Sequence, residues 1–313
     1  LGDVYKRQVQ IGPVTARNRF YQVPHCNGMG HGMPNTVAAM RGVKAEGGWA
    51  VVATEECDIH PSSDVLPYHE GLWDIEDQHR HAIMVDAVHA HGSLAAIELV
   101  HNGHAVSNRY SRLPVLAVSD MPVASYDPAQ ASAMTRRDIA NVRRWHRNAA
   151  LRARDAGFDI VYVYAGHDLS LPMHFISQRY NQRSDEYGGS LENRTRLVRN
   201  VIGRIRDELP DLVVVTRMNA YDGIPYRGEG DDFVGIPCPH PLPLQTAFGT
   251  DPDNHLGLAL DEPLEVARTL AELGVAMINV SAGNPYSNPH VVRPAEFPPI
   301  DGYHAPELSL IHI

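Results

Sequence analysis

The amino-acid sequence predicts an α/β protein and, within that class, a (β/α)8 or TIM barrel. Short apolar runs of strand length alternate with longer segments of helical period, the pattern of a parallel sheet with crossover helices. No Gly-x-Gly-x-x-Gly fingerprint follows any of these runs, which disfavours a doubly wound dinucleotide-binding sheet. The chain has 313 residues, 43% of them hydrophobic, which is enough for one large core.

Six apolar runs have the length of buried strands. They lie at 20–24, 49–54, 94–100, 159–164, 212–217 and 276–281. Between them, five segments follow the helical period, at 36–46, 76–91, 136–156, 190–208 and 262–273. Thr135-x-x-Asp138 resembles a capping box at the start of the third helix, and Pro263 suits the first turn of the fifth.

A complete barrel of this kind needs eight strands, but only 32 residues follow Ser281. We therefore expect a barrel truncated after about six strands, without strands 7 and 8 and the phosphate-binding loops that often follow them. The expected domain covers 9–307, with non-native tails at 1–8 and 308–313. The segment 219–260, rich in proline and glycine, is either an excursion that covers the substrate or a poorly ordered insert.

Composition and charge exclude several classes of protein. The net charge is −10 and neither sign forms a long run, which argues against nucleic acid as a partner. No stretch approaches roughly 18 consecutive apolar residues and no signal peptide precedes the first strand, so we expect neither a membrane span nor secretion. Three cysteines without a Cys-x-x-Cys pair predict no disulfide framework, no structural zinc site and a reducing, cytoplasmic location.

Polar residues follow the predicted strands, where TIM barrels carry their active sites. In strand order they are Pro24, His25 and Cys26; Glu55 and Glu56; Glu98 and His101; Tyr164 and His167; Arg217 and Asn219. Tyr164 and His167 are spaced as a proton-handling pair. His101 is a candidate for substrate binding, and no HExxH pattern marks a metal site, so we predict none. The histidines at 79, 81, 89 and 91 are expected on a solvated helix surface.

Four segments carry a specific resemblance to a known family. They are RNRFYQVPHCNGMG (17–30), KAEGGWAVVATEE (44–56), AGFDIVYVYAGH (156–167) and YNQRSDEYGGSLENR (180–194). These segments resemble the FMN-binding barrel of the old yellow enzyme superfamily. YQVPHC is similar to its trimethylamine dehydrogenase branch, which includes dimethylglycine and N-methylproline demethylases. The resemblance implies an FMN-dependent oxidoreductase.

The resemblance assigns cofactor-binding roles to residues of three strand ends. Pro24 and His25 line the flavin, Glu98 lies by its ring, and Arg217 faces its N1 and O2 side, where a cation stabilises the reduced flavin. Cys26 matches the cysteine that trimethylamine dehydrogenase joins to C6 of FMN. We therefore expect FMN either linked to Cys26 or beside an unlinked thiol.

The resemblance also places Tyr164 and His167 beside the flavin as the catalytic pair. Glu56 departs from the family pattern, because trimethylamine dehydrogenase has an aromatic residue of its ammonium cage there. A carboxylate suggests that Glu56 binds a cationic amine substrate; alternatively, a neighbouring His or Arg pairs with it. The acid that completes the family's Tyr-His-Asp set is missing from SAGNPYSNPHVVRP (281–294), and Asp222 is a candidate replacement.

Two enzymatic functions follow. The first is oxidative N-demethylation of an N-methylated amine by hydride transfer to flavin, with hydrolysis of the iminium to formaldehyde. The second is NAD(P)H-dependent reduction of an enone or a 2,4-dienoyl-CoA type C=C bond, which the sequence after Arg217 favours. A third hypothesis is an inactive truncated fragment. The expected partner is a small-molecule substrate; a homo-oligomer is left open, and the resemblance implies a 4Fe-4S cluster in a C-terminal part beyond this chain.

Overall fold

A computed structural model describes residues 4–65, 69–124, 127–229, 234–245, 247–288 and 291. Its centre is a six-stranded sheet. In chain order the strands are β1 (Tyr21–Gln22), β2 (Val51–Asp58), β3 (Leu94–Val100), β4 (Ile160–Ala165), β5 (Val213–Asn219) and β6 (Ile278–Ser281). Neighbours are parallel, and their order follows the chain without reversal. This is the order of an open, curled barrel, so the predicted truncated TIM barrel is confirmed.

Helices connect the strands as the periodicity predicts. They are α1 (Pro34–Glu46), α2 (Ile75–His89), α3 (Arg136–Asp155), α4 (Leu171–Ile176), α5 (Leu191–Arg194), α6 (Arg196–Glu208) and α7 (Asp261–Glu272). The capping box of Thr135 and Asp138 is present at the start of α3. The predicted helix 190–208 is interrupted at Thr195, whose hydroxyl donates to the carbonyl of Leu191 at 2.9 Å. None of the described helices is long and apolar enough to cross a membrane.

One prediction about α2 is wrong. His81 was expected on the solvated surface, but it is buried, and its Nε2 lies 3.1 Å from the carbonyl oxygen of Gly71. The reason is its spacing, because His81, Met84 and Val88 fall on one helical face, and this face packs inward.

The strands alternate between two apolar clusters, as side chains of period two require. Ile97 and Val161 point outward into the cluster that the helices cover. Ala96, Ile160 and Tyr162 point inward, where a hairpin of two strands, Val9–Ile11 and Val14–Ala16, covers the amino-terminal end of the sheet. The sequence analysis did not predict this hairpin. The hairpin closes the amino-terminal end of the sheet, and the polar side chains lie at its carboxyl end.

The segment 219–260 is packed in its described part. Tyr226–Glu229 pairs with Val234–Pro237 as an antiparallel hairpin, and Phe248 is buried in the main core. The N–H of Asp222 donates to the carbonyl of Phe248 at 2.8 Å, which ties the segment to the end of β5. This placement favours the predicted excursion at the substrate end over a poorly ordered insert.

Candidate active site

Arg217 joins three strand ends into one cluster at the carboxyl end of the sheet. Its guanidinium donates to the carbonyl of Pro24 at 3.0 Å and to Glu98 Oε2 at 3.3 Å, and it lies 5.6 Å from the ring centroid of Tyr164. The register explains the last contact, because Arg217 on β5 is directly opposite Tyr164 on β4. Four of the predicted site residues are therefore brought together.

Glu98 is a buried carboxyl group with one unsatisfied oxygen. The residue is 1% exposed, and among the described residues its Oε1 has no hydrogen-bond partner. Burial raises the pKa of Glu98 to about 7, although the charge of Arg217 lowers it. A buried acceptor without a donor is costly, so this position suits a ligand that donates a hydrogen bond.

Tyr164 and His167 form what we call the tyrosine–histidine pair. The phenol oxygen of Tyr164 lies 2.6 Å from His167 Nδ1. The chain turns sharply here, since His167 has a φ of 55° and its N–H donates to Asn219 Oδ1 at 2.7 Å. Burial and then the charge of Arg217 lower the pKa of His167 to about 3, and burial raises the pKa of Tyr164 well above its usual value. Both side chains are therefore neutral near pH 7.

A β-bulge places Glu56 on the inner face. Ala53 points inward, so strict alternation from this residue would turn Glu55 and Cys57 toward the site as well. Cys57 points outward instead, which shows that the alternation is broken between them. The register between β2 and β3 shifts between Ala53 and Glu56, and Glu56 then lies opposite Glu98. Glu55 instead accepts hydrogen bonds from backbone N–H groups of the neighbouring loops.

Glu56 belongs to a group that we call the thiol cluster: Cys26, Glu56, Asp58 and His69. His69 Nδ1 lies 3.1 Å from Asp58 Oδ2, and His69 Nε2 lies 3.6 Å from Glu56 Oε1 and 4.0 Å from Cys26 Sγ. Burial raises the pKa of Glu56 to about 7, while His69 lowers it. The predicted alternative, a neighbouring histidine that pairs with Glu56, is therefore present in the fold.

His69 is the residue that the sequence analysis missed. It is buried, with 7% of its surface exposed. Burial alone would lower its pKa, but the hydrogen bond and charge of Asp58 raise it well above the usual value. His69 stands eleven positions after Asp58, the last residue of β2, and only the two acids of that strand end, Glu56 and Asp58, signal that a basic partner is needed.

His101 does not join either group. Its Nε2 lies 3.0 Å from the Ser62 hydroxyl, its Nδ1 accepts the N–H of Gly103 at 3.2 Å, and its ring lies parallel to Trp145 of α3. The alternation explains this position, because Glu98 points inward and His101, three residues later, points outward toward the helices. The geometry argues against the prediction that His101 binds substrate.

His25 and Asp222 also lie apart from the tyrosine–histidine pair. The side chain of His25 is exposed, and its backbone carbonyl accepts a hydrogen bond from Arg41 at 2.8 Å. Asp222 is buried, and its Oδ1 accepts from Asn219 at 3.3 Å. Asn219 also accepts the N–H of His167, so among the described residues this amide links Asp222 to the pair.

A cavity of about 840 Å³ lies apart from this site. Its lining comes from the segment after β3 and from residues 179–185, with His104, Arg179 and Tyr180 on its wall. None of the predicted site residues lines it. This cavity therefore does not belong to the candidate site.

Known proteins match this chain over most of its length. The model of the NADH:flavin oxidoreductase / NADH oxidase family matches residues 7–234. Dimethylamine dehydrogenase of Hyphomicrobium sp. (strain x) is 39% identical over 252 residues, which are 76% of this chain and 34% of that protein. NADPH dehydrogenase of Halalkalibacterium halodurans is 34% identical over 198 residues, which are 62% of this chain and 55% of that protein.

A solved structure agrees with these matches. Histamine dehydrogenase from Rhizobium sp. 4-9 is 44% identical, with a TM-score of 0.67 over 69% of this chain and 34% of that chain. The chain therefore spans about a third of the length of the two amine dehydrogenases. The chain belongs to the NADH:flavin oxidoreductase / NADH oxidase family.

Proposed function

We propose that the protein oxidises an N-methylated amine and that residues 9–307 are the FMN-binding part of it. The observation that carries this proposal is Glu56, a carboxyl group that faces the site beside Glu98 and within the field of Arg217 and Tyr164. A substrate ammonium needs an anion of this kind when no aromatic cage is present. The relatives named dimethylamine and histamine dehydrogenase support the same substrate class.

The residues at the carboxyl end of the sheet fit FMN. Among the residues that the structure describes, Glu98 Oε1 is a buried acceptor without a hydrogen-bond partner, and the guanidinium of Arg217 lies next to this carboxyl group. The pyrimidine edge of a flavin offers an N–H donor and carbonyl acceptors, which this acid and this cation match. Pro24, His25, Glu98 and Arg217 would hold the group, and Cys26 would be joined to it through sulfur. When bound, FMN supplies the two-electron acceptor for a hydride.

The side chains of this chain would manage charge and protons. Glu56 would ionise and hold the ammonium group, because a cation lowers the pKa of a carboxyl that burial has raised to about 7. The neutral pair of Tyr164 and His167 would orient the amine and move its proton between the phenol oxygen and Nδ1. The buried ring of Tyr164 would help to keep bulk water from the reacting carbon, whereas His167 is half-buried.

The test uses the full-length protein, an N-methylated amine such as dimethylglycine and an artificial electron acceptor. We expect formaldehyde in equal amount to the acceptor reduced, and a Glu56→Ala variant with a KM at least about tenfold higher. Reduction of the flavin by NAD(P)H with no reaction toward methylated amines would contradict the proposal. The chain of 313 residues, purified by itself without bound flavin, would instead support the hypothesis of an inactive truncated fragment.

A second candidate is an NAD(P)H-dependent reductase of activated C=C bonds. Two observations favour it: among the described residues no carboxylate hydrogen bonds to the ring of His167, and one relative is an NADPH dehydrogenase. In this reaction Tyr164 and His167 would polarise the substrate carbonyl. Oxidation of NADPH by 2-cyclohexenone, measured at 340 nm, distinguishes it from amine oxidation.

Three further properties belong to the same proposal. The substrate is a small molecule, the protein acts in the cytoplasm, and a 4Fe-4S cluster in a part beyond this chain passes the electrons on. The three cysteines of the chain, without a Cys-x-x-Cys pair, support a reducing compartment. Iron and acid-labile sulfide analysis of the full-length protein tests the cluster.

A further inference from the structure

The thiol cluster arranges a cysteine, a histidine and an aspartate in a chain of contacts. Cys26 Sγ lies 4.0 Å from His69 Nε2, and His69 Nδ1 lies 3.1 Å from Asp58 Oδ2. The cysteine is exposed, whereas the histidine and the aspartate are buried. Cys26 follows β1, Asp58 is the last residue of β2, and His69 comes after β2. In this chain of contacts the cysteine has the position of a nucleophile, the histidine that of its base and the aspartate that of the acid that orients the base.

Asp58 is fixed in place by groups behind it. Its Oδ1 accepts hydrogen bonds from the Ser63 hydroxyl at 2.7 Å and from Asn102 Nδ2 at 3.1 Å. Its Oδ2 is left to accept from His69 Nδ1. An acceptor at Nδ1 sets the tautomer and the orientation of an imidazole, so Nε2 is the atom that faces the thiol.

The surroundings make this partner necessary. Although Cys26 is exposed as a residue, desolvation of its sulfur by the surrounding residues raises the pKa of the thiol, and the charges of Glu56 and Glu55 add to the effect. Such a thiol does not ionise by itself near pH 7, and thiols react as thiolates. His69 opposes this rise in the pKa of the thiol, because Asp58 stabilises the protonated imidazole and a protonated imidazole stabilises the thiolate.

We propose that His69, oriented by Asp58, takes the proton of Cys26 and holds the thiolate as an ion pair, which makes Cys26 the nucleophile of this site. The S–H bond breaks, an N–H bond forms at Nε2, and the electron pair stays on sulfur. His69 is the base and Asp58 is a positioning residue. Ionisation of Cys26 stands independently, whereas the identity of its natural electrophile, a ring carbon of FMN, rests on the proposed function.

Formation of a bond between the Cys26 sulfur and a ring carbon of FMN would be a two-electron oxidation. One C–S bond forms and one ring C–H bond breaks, and the two electrons released reduce the flavin. Dioxygen then takes these two electrons and two protons and leaves as hydrogen peroxide. The thiolate of Cys26 is the reactant that the cluster supplies.

Glu56 acts against this ion pair. Its Oε1 lies 3.6 Å from the same Nε2, so it competes with the sulfur for the protonated imidazole, and the charge of Arg217 faces it from the other side. Removal of this carboxylate should therefore make the thiol more reactive. If the cluster only supported the fold, removal of Glu56 would not raise the reactivity of the thiol while removal of His69 lowers it.

The experiment measures alkylation by iodoacetamide in the full-length protein, prepared without flavin from a riboflavin-starved host. Mass spectrometry follows Cys26 from pH 5 to pH 9, with Cys238 as the internal comparison. We expect His69→Asn to slow Cys26 at pH 7 about tenfold or more, Asp58→Asn to slow it less, and Glu56→Gln to speed it. Free imidazole should restore part of the rate in a His69→Gly variant. His79→Asn, an exposed histidine of α2, is the matched control.

A second measurement ties the thiolate to the flavin. In protein made with flavin, His69→Asn should lower the fraction of FMN that stays with the acid-precipitated polypeptide while total FMN is retained. Equal alkylation profiles in wild type and His69→Asn would overturn the inference even if amine oxidation is found. A His69-dependent profile in a protein that binds no flavin would support the inference and overturn the proposed function.

Discussion

The thiol cluster and the tyrosine–histidine pair lie at the same end of the sheet, but they hold their histidines in opposite states. Asp58 raises the pKa of His69 well above its usual value against the effect of burial. Burial and Arg217 lower the pKa of His167 to about 3. The difference lies in the partner, because His69 Nδ1 faces a carboxylate, whereas His167 Nδ1 faces a phenol.

This contrast teaches how one site can divide its work. The side of β2 carries carboxyl groups and a histidine that gains a proton, which suits a cationic amine and a reactive thiol. The side of β4 carries neutral donors and acceptors, which suits proton movement without a net charge. Arg217 lies between the two sides and lowers the pKa of both Glu56 and Glu98.

The largest effect is expected where the two sides meet. Arg217→Leu leaves Glu98 buried without its cation, which costs about 3–5 kcal/mol of folding free energy in comparable buried pairs. The variant should also bind no FMN. Denaturant unfolding and the flavin absorbance of the purified full-length protein measure both effects.

Arg204→Leu is the control for this change, because its ion pair with Glu208 is exposed on α6. Its loss should cost only about 0.3–0.5 kcal/mol and leave flavin content unchanged. Equal losses of stability in the two variants would contradict the role assigned to Arg217.

The next largest effect is expected on the stability of a Glu56 variant, on the β2 side of the site, and it depends on pH. The folded-state pKa of Glu56 is raised to about 7, so its contribution to stability is present below pH 4.5 and is lost as pH rises through 7. Glu56→Gln removes the buried charge, and it should stabilise the protein by about 3 kcal/mol at pH 8 and hardly at all at pH 4. Unfolding curves at the two pH values test this, and a difference that does not change with pH would contradict it.

The two sides also differ in how far the sequence predicts them. Tyr164, His167 and Arg217 sit at the ends of strands that local apolar patterns reveal, and parallel strands bring such ends together. His69 lies in an irregular loop, and its place beside Asp58 is decided by tertiary structure. The bulge that turns Glu56 inward leaves no periodic signal either.

The surface prediction for His81 was wrong, whereas substrate binding by His101 stays a prediction; at both positions the sequence held a signal that was not used. His101 stands three residues after Glu98, so alternation alone puts the two side chains on opposite faces. His81 shares its helical face with Met84 and Val88. The amino-terminal hairpin was missed because its strands, of three residues each, are too short for a periodic pattern.

A smaller effect is expected on the neutral side. Tyr164→Phe removes the hydroxyl that lies 2.6 Å from His167, and it should lower kcat about a hundredfold, or about 2.7 kcal/mol, with flavin content retained. Because the pKa of His167 is about 3, titration of this residue should not change kcat between pH 5 and pH 9, either in the wild type or in the Tyr164→Phe variant. Steady-state kinetics test both points. Tyr110→Phe, at an exposed loop position, is the control.

The smallest effect on catalysis is expected at His101. His101→Asn loses the contact with Ser62 and the stacking on Trp145, which should cost about 1 kcal/mol of stability. The KM for the amine should stay within about twofold of wild type, because this ring faces the helices. A large rise in KM with normal stability would return His101 to the substrate site.

The most direct test of the account asks whether FMN is bound at the thiol cluster. The full-length protein is purified, precipitated with acid and separated, and flavin absorbance is read in the pellet and in the supernatant for wild type and Cys26→Ala. The account predicts flavin in the wild-type pellet and its release into the supernatant in the variant. Flavin that is free in the wild type, or no flavin at all, would contradict it.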